Sequence, residues 1–409
     1  MTLPQDLGRE DIVWHAVTAD VLERMKLALP DELAESVNDV TRPLGVDVTL
    51  YLVDHEQRQL WPLPERGKPA PPPLSVEGTV AGRAFTSVRT HAADQPDGRY
   101  RLWVPLVDGA ERLGVAEIVV DQPPLESAAL QAGCELLVGL LGHLVTVKMP
   151  YGDTLHRVRR TQPMSPASEL LIHLLPPLTF SCPRLSVSAV LEPCYDTGGD
   201  AFDYAVDGSL ARIMVLDAMG RGLRAGLTCV TALGALRAAR RDDHGLYAMA
   251  RAADAALTEQ FPDLRFVTGV LAELHMENGL LRYINAGHPP PLVLRGAKAV
   301  RELPGGRRLP LGIDRSAAIE VGEEYLEPGD RLLLYTDGVI EAYDHGGERF
   351  GVDRLVDLAE RCAAADLPGP ETLRRLALSV LEHQDGPPTD DATLLLLEWS
   401  PHAADRTQL

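Results

Sequence analysis

Aspartates at the ends of apolar runs are the feature that most constrains the fold. LARIMVLD and DRLLLYTD are apolar runs that end in Asp217 and Asp337. DDATLLLLEW has the reverse order, because Asp390 and Asp391 precede its apolar run. In an antiparallel sheet the end of one strand lies beside the start of the next. The sequence therefore predicts a sheet that brings these carboxylates to one rim.

A fourth carboxylate, Asp200, follows Gly198 and Gly199 just before another strand-like segment. Carboxylates that converge repel one another unless cations lie among them. Oxygen ligands suit Mg²⁺ or Mn²⁺ rather than zinc. Two such ions about 3.5–4 Å apart can bind a phosphate and activate a bridging water for in-line attack. For any one of these aspartates alone a turn or a helix cap is the better explanation, but the set together favours a metal site.

Composition excludes several classes of partner. The 409 residues include 59 acidic and 39 basic side chains, giving a formal net charge of −20. Such an acidic surface repels nucleic acid and anionic lipid, so neither a nucleic acid nor a membrane is an expected partner. The five cysteines lack zinc-knuckle spacing and are odd in number, which argues against a disulfide framework. With no apolar leader at the N-terminus, we expect a cytoplasmic protein.

Other phosphate and cation chemistries lack their sequence motifs. No cysteine has an arginine six residues after it, and no GxxxxGK[ST] loop is present. An EF-hand loop that began at Asp196 would place Gly198 and Ala201 where an oxygen ligand and a glycine are required.

Hydrophobic periodicity divides the chain into two blocks of mixed structure. The first, residues 1–150, is predicted to contain a helix over 16–40, a strand over 47–54, a proline-rich loop, two strands joined at Asp108-Gly109 and a helix that ends at Pro150. Residues 151–180 are predicted to form a helical linker. The second block, 181–400, is of α+β class, with strands near 185–191, 210–216, 266–274, 280–284, 330–335 and 393–397 and helices near 222–240, 245–260, 351–364 and 370–383.

The first block resembles a known sensory domain. GTVAGRAFTSVRTH is followed by YRLWVPLVDGAERLGVAEIVV, and this order of a glycine-containing helix start and two strands is similar to a GAF domain. The resemblance covers about residues 15–148 and implies a sensory or regulatory domain. Any other α/β core of this size is the alternative.

The second block resembles the metal-dependent protein phosphatase (PPM) superfamily, in its bacterial SpoIIE/RsbU-type branch. Nine strings occur in the order of that family across about residues 167–398: ASELLIHLLPP, GGDAFDY, DAMGRGLRAG, FVTGVLAEL, YINAGHPPPLVL, LPLGI, LEPGDRLLLYTDGVIEA, ERFG and DDATLLLL. The resemblance implies two stacked antiparallel sheets flanked by helices, an αββα sandwich. The whole chain is then α+β, with a GAF-like domain followed by a PPM-type domain.

The resemblance also assigns residues to a site for two Mn²⁺ or Mg²⁺ ions. Asp217 bridges both ions, and Asp337 and Asp390 complete the first site, so these three are the expected catalytic residues. The backbone carbonyl of Ala218 and the carboxylate of Asp200 belong to the second site. Asp391 is expected to be a supporting ligand.

The function implied is a Mn²⁺- or Mg²⁺-dependent protein serine/threonine phosphatase, controlled by the N-terminal domain. The resemblance further implies a phosphorylated anti-sigma-factor antagonist as substrate. The leucines in the helix over 167–175 need a packing partner, and the resemblance favours a homodimer. The alternative is a degenerate phosphatase-fold protein that acts by binding a partner. Degeneration usually removes metal ligands, and the complete acidic set favours the enzyme.

Four further residues have two interpretations each. His288, in AGHPPP, is a general acid or, as we favour, a structural hydrogen-bonding group. Arg221 and Arg224 either contact phosphate or belong to a solvated helix face. Asp203 either supports the metal site or is an acid in a turn.

Overall fold

The chain forms two compact units, divided between Thr161 and Gln162. The structure, a computed structural model, describes residues 9–94, 99–121, 128–192, 195–196, 198–314, 316, 318–384, 390–401 and 403. Cys194 lies outside the described residues. The segment predicted as a helical linker is divided between the units: one short helix belongs to the first unit and the next helix to the second.

The first unit is a six-stranded antiparallel sheet with helices on both faces. Its elements are α1 (Arg9–Met25), α2 (Leu33–Thr41), β1 (Val46–Val53), β2 (Gln59–Pro62), β3 (Leu74–Ser75), α3 (Val80–Ser87), β4 (His91–Asp94), β5 (Tyr100–Asp108), β6 (Glu111–Val120), α4 (Ala128–Lys148) and α5 (Thr154–Arg159). The strand order is β3-β2-β1-β6-β5-β4. One core lies between the sheet and α1, α2 and α4, and a smaller core lies under α3 on the other face.

The prediction of one helix over residues 16–40 is wrong, because two helices occupy this region. Leu29 adopts an extended conformation with φ −73° and ψ 159°, and Pro30 begins a short 3-10 turn before α2. The proline ring disfavours the helical conformation in the residue before it, so one continuous helix cannot pass through Leu29. The turn at Asp108-Gly109 is confirmed, with Gly109 at φ 59°.

The stretch Ala128–Tyr151, which includes α4, is long and apolar enough to cross a membrane by length and composition alone. This indication is weak, because core helices meet the same criterion. Half of its most apolar stretch is buried inside the structure. Leu137, Leu141 and Val145 are fully buried in the first core, which favours a core helix.

The second unit is a sandwich of two sheets. Its elements are α6 (Pro166–Ile172), β7 (Thr179–Cys182), β8 (Leu185–Glu192), β9 (Asp200–Asp207), β10 (Leu210–Ala218), α7 (Gly222–Arg241), α8 (Leu246–Gln260), β11 (Val267–His275), β12 (Leu280–Ala286), β13 (Leu292–Arg295), β14 (Lys298–Glu302), β15 (Arg307–Arg308), β16 (Gly322–Tyr325), β17 (Asp330–Tyr335), α9 (Asp337–Ile340), α10 (Gly351–Ala364), α11 (Gly369–His383) and β18 (Ala392–Trp399). One sheet has the order β15-β12-β11-β10-β9, with β16 also paired to β12, and the other has the order β14-β13-β17-β18-β8-β7.

Three apolar clusters show how the layers of the second unit stack. One cluster joins residues of β8, β17 and β18 to residues of β10, β11 and β12, so it fills the space between the sheets. A second packs α7 and α8 on the outer face of one sheet, and a third packs α10 and α11 on the outer face of the other. The predicted αββα architecture is confirmed. The short β12–β15 pairing is parallel, whereas the other pairings among the described strands of this unit are antiparallel.

Alanine substitution at two glycines of α4 is expected to change the stability of the first unit in opposite directions. A Cβ atom at Gly142 would lie 2.0 Å from the backbone oxygen of Val107, whereas one at Gly139 would meet nothing within 4 Å. Gly142→Ala must push the helix off β5, and we expect it to destabilise the first unit by about 1–3 kcal/mol. Gly139→Ala should instead stabilise it by about 0.5–1 kcal/mol through helix propensity. Scanning calorimetry of both variants measures the two shifts, and equal shifts would contradict the packing described.

Candidate metal centre

The four predicted carboxylates come from two hairpin-like pairs, one in each sheet. Asp200 begins β9 and Asp217 lies near the end of β10, and the two are direct partners in the antiparallel register. Asp337 follows the end of β17, and Asp390 precedes the start of β18, its antiparallel neighbour. The expected convergence is therefore present. It occurs between two stacked sheets, however, and the prediction of one sheet rim is wrong in that respect.

The carboxylate of Asp391 connects these two pairs. Its oxygens accept hydrogen bonds from the backbone N–H of Gly198 at 2.6 and 2.8 Å, of Gly199 at 2.7 Å and of Asp200 at 3.1 Å. A Cβ atom at Gly198 would lie 3.3 Å from Asp391 Oδ2, so glycine leaves room for this approach. Asp391 thus caps the turn before β9. Its expected role as a supporting metal ligand stays a prediction.

Two threonine hydroxyls hold Asp200 in place. Thr336 and Thr393 each donate a hydrogen bond of 2.7 Å to Asp200 Oδ2. Burial, together with the charges of Asp217 and Asp391, raises the pKa of Asp200. The sequence analysis did not single out either threonine. The only sequence signal is their position, since Thr336 immediately precedes Asp337 and Thr393 lies two residues after Asp391.

Asp217 and Asp337 lie in strongly acidic surroundings. Burial raises the pKa of Asp217 to about 7, and the charges of Asp337, Asp390 and Asp391 add to this effect. Burial and the charge of Asp390 also raise the pKa of Asp337. The ionised carboxylates therefore destabilise one another, and a cation among them would relieve that cost.

The donor set fits hard divalent cations in its chemistry. A Cβ atom at Gly199 would lie 3.0 Å from the carbonyl oxygen of Ala218, so glycine at this position avoids a close contact with that backbone oxygen. Carboxylate and carbonyl oxygens are the ligands that Mg²⁺ and Mn²⁺ prefer. As they are placed, no three His, Cys, Asp or Glu side chains in the described part of the chain lie close enough to hold one ion. Binding therefore requires the carboxylates to move closer together.

A partly buried hydroxyl and a buried imidazole lie next to Asp217. Thr268 Oγ1 lies 3.4 Å from Asp217 Oδ2 and 3.0 Å from His288 Nδ1. Burial lowers the pKa of His288 to about 4, so the ring is neutral near pH 7. Asn285 also accepts a hydrogen bond from the backbone N–H of His288. This arrangement agrees with the structural interpretation of the histidine, and Thr268 is a contact that the sequence analysis did not identify.

Other residues named from the sequence lie outside the carboxylate cluster. Asp203 accepts hydrogen bonds of 2.7 Å from Arg237 and from Arg240, so it forms a buried ion pair under α7. Burial raises the pKa of the thiols of Cys134 and Cys229, which makes both poor nucleophiles.

Comparison with known proteins adds a family match for this unit. Residues 207–400 match the family model described as Stage II sporulation protein E (SpoIIE). The matched range contains three of the four predicted carboxylates, Asp217, Asp337 and Asp390, together with Asp391.

The relatives found are distant and share only part of their length with this chain. Phosphoserine phosphatase RsbU of Bacillus subtilis is 24% identical over 215 residues, which is 52% of this chain and 63% of the relative. Phosphoserine phosphatase RsbP of the same organism is 25% identical over 171 residues, 39% of this chain and 40% of the relative. A solved structure of the RsbU and RsbW domains of a Mycobacterium tuberculosis protein has a TM-score of 0.48 at 28% identity, covering 53% of this chain and 62% of that one. The chain thus spans less than two thirds of the length of each of these relatives.

The raised pKa of Asp217 predicts a pH-dependent stability. Between about pH 4 and 7 the folded protein retains a proton that the unfolded chain has lost, so this group's contribution to stability falls as the pH rises through that range. In the presence of a chelator, Asp217→Asn should therefore be more stable than the unsubstituted protein above pH 7, by up to about 4 kcal/mol. The difference should disappear near pH 4. Thermal melting across this pH range measures it.

Asp357→Asn is the matched control, because this aspartate is exposed on α10. It should melt like the unsubstituted protein at every pH. If Asp217→Asn were less stable than the unsubstituted protein at pH 8, the carboxylates would not repel one another as described.

Proposed function

We propose that this chain, whose C-terminal unit belongs to the SpoIIE family, is a divalent-cation-dependent phosphoprotein phosphatase that hydrolyses phosphoserine or phosphothreonine. One observation carries the proposal: carboxylates from both sheets of the sandwich meet beside the backbone carbonyl of Ala218, and burial together with their negative charges raises the pKa of Asp217 to about 7. A folded protein retains such a cost where a bound cation offsets it. The names of the RsbU and RsbP relatives, which are phosphoserine phosphatases, support the same reaction class.

The residues of the site have separable tasks in this proposal. Asp217, Asp337 and Asp390 would hold Mn²⁺ or Mg²⁺ with the Ala218 carbonyl and Asp200. Such ions, when bound, lower the pKa of water and neutralise phosphate charge. Thr336 and Thr393 fix the rotamer of Asp200, and Thr268 fixes that of Asp217. The rim of the site, where the Asp390 side chain is 55% exposed, leaves access for a phosphorylated side chain.

A degenerate phosphatase fold that acts only by binding a partner is the alternative. Asp200, Asp217, Asp337 and Asp390 are all present, and all four lie where the two sheets meet. Loss of any one of them would favour the alternative, and none is lost.

The substrate and the control of the enzyme are further parts of the proposal. An anti-sigma-factor antagonist that carries phosphoserine or phosphothreonine is the proposed substrate, in the cytoplasm. The first unit, whose antiparallel sheet with helices on both faces is compatible with a GAF-like sensor, is proposed to regulate turnover. We also propose a homodimer. Leu171 of α6 is buried against the core under α7, so within α6 the more exposed Leu170 is the better candidate for a subunit contact.

Metal dependence is the first test. Hydrolysis of p-nitrophenyl phosphate should require Mn²⁺ or Mg²⁺ and stop with a chelator, because carboxylates alone do not activate water near neutral pH. Asp337→Asn should reduce kcat at least about 100-fold, since it removes a ligand charge. The exposed Asp357→Asn should retain full activity. Full turnover in excess chelator would refute the proposal.

Substrate class is the second test. The open rim favours a phosphorylated protein loop over a small metabolite. We therefore expect a higher kcat/KM for a phosphoserine protein of the antagonist type than for nucleotides or sugar phosphates. Phosphate release from a panel of such substrates with Mn²⁺ measures the ratio. A metabolite hydrolysed far faster than every phosphoprotein would contradict this assignment.

A further inference from the structure

Arg221 occupies a turn at the edge of the carboxylate cluster. It is flanked by Gly220 at φ 98° and Gly222 at φ 65°, both in the left-handed region that favours glycine. Arg221 itself is extended, with φ −138° and ψ 163°, and α7 begins directly after it. The two glycines therefore permit the turn that places the arginine at this edge, four residues after Asp217.

The guanidinium of Arg221 lies near the carboxylate cluster but forms no hydrogen bond with it. Arg221 Nη2 is 3.9 Å from Asp390 Oδ2, a distance too long for a hydrogen bond. The side chain is 65% exposed, and among the described residues it has no hydrogen-bond partner. Its stem passes close to Gly198, where an added Cβ would lie 3.7 Å from Arg221 Cγ. The N–H donors of the guanidinium thus remain available at the rim of the site.

The neighbouring arginines, Arg224 and Arg265, lie beside the carboxylate of Asp263 and not beside that of Asp390. Arg265 forms a hydrogen bond of 3.1 Å with Asp263, and Arg224 lies 4.0 Å from the same carboxylate. The guanidinium of Arg265 is therefore already paired with a carboxylate. Arg224 also lies one helical turn further along the chain, and its side chain is 78% exposed.

We propose that Arg221 is the residue that positions the phosphate of the substrate, as a fork-shaped donor to two phosphate oxygens beside Asp390. This inference rests on the proposed function. A phosphate dianion that enters a cluster of carboxylates is repelled by any carboxylate that lacks a counter-ion. A guanidinium at the rim offsets that repulsion and matches phosphate geometry with parallel N–H donors. Because it binds the phosphate and not the rest of the substrate, it serves any phosphomonoester that reaches the rim.

The test compares Arg221→Ala and Arg221→Lys with Arg224→Ala as the matched control. Kinetics with p-nitrophenyl phosphate at saturating Mn²⁺ give kcat, KM and the inhibition constant of inorganic phosphate. Arg221→Ala should raise KM and the inhibition constant about 10- to 100-fold, the range for losing a hydrogen bond to a charged group. The lysine variant keeps the positive charge but lacks the parallel N–H donors of the guanidinium. Its KM and inhibition constant should therefore lie between those of the unsubstituted protein and those of Arg221→Ala. Arg224→Ala should match the unsubstituted protein.

A binding measurement separates this inference from the proposed function. Calorimetric titration of Mn²⁺-loaded protein with inorganic phosphate needs no turnover, and binding weakened by Arg221→Ala alone would support the inference even in an inactive protein. An unchanged phosphate affinity in Arg221→Ala would overturn it. Tighter Mn²⁺ binding with unchanged phosphate affinity would also overturn it, because Arg221 would then be only a counter-ion for Asp390. Thermal melting of each variant confirms that the exposed substitution leaves the fold intact.

Discussion

The contact between the Asp391 carboxylate and three consecutive backbone amides is the interaction on which the site depends. Asp391 directly precedes a strand of one sheet, and the amides of residues 198–200 belong to the turn that begins a strand of the other. Hydrogen bonds from amides to a buried carboxylate are charge-assisted and stronger than neutral ones. This contact fixes the two sheets against each other at the rim where Asp200 and Asp217 are paired in register. Asp391 therefore helps to set the positions of the candidate metal ligands, although its own oxygens already accept hydrogen bonds from backbone amides.

Close packing at the rim limits which residues the motifs can contain. A Cβ atom at Gly338 would lie 1.9 Å from the carbonyl oxygen of Asp391, so the residue after Asp337 must be glycine for the two sequence motifs to meet. The hydroxyls of Thr336 and Thr393 then offset part of the cost of burying Asp200. Charge repulsion, close backbone contacts and hydroxyl donors thus oppose one another within one small region, which is typical of a site that trades stability for function.

Much of this arrangement can be predicted from local sequence, because the strands and helices of the second unit have clear periodicity. The apolar runs that end at Asp217 and Asp337 are strands, as expected, and their aspartates lie at the site. The contacts that depend on residues almost 200 positions apart were not foreseen, since no local pattern indicates that Asp391 binds the amide of Gly198. The break between the first two helices has a different cause: apolar residues recur on both sides of Pro30, and the proline keeps Leu29 extended.

The carboxylates of the site differ in their burial and in the hydrogen bonds that they already accept from the protein. Asp391 and Asp200 are almost completely buried and accept hydrogen bonds from amides and hydroxyls, so their orientation is set by the fold. Asp390 is half exposed, accepts one backbone hydrogen bond of 3.2 Å from Asp391, and lies 3.9 Å from Arg221, so the protein constrains it less. A buried, hydrogen-bonded inner side and a more exposed outer side suit the proposed phosphatase site, which would hold cations while it admits and releases an anion. In the proposed function the inner carboxylates would determine where a cation binds, and exchange with solvent would take place at the outer edge.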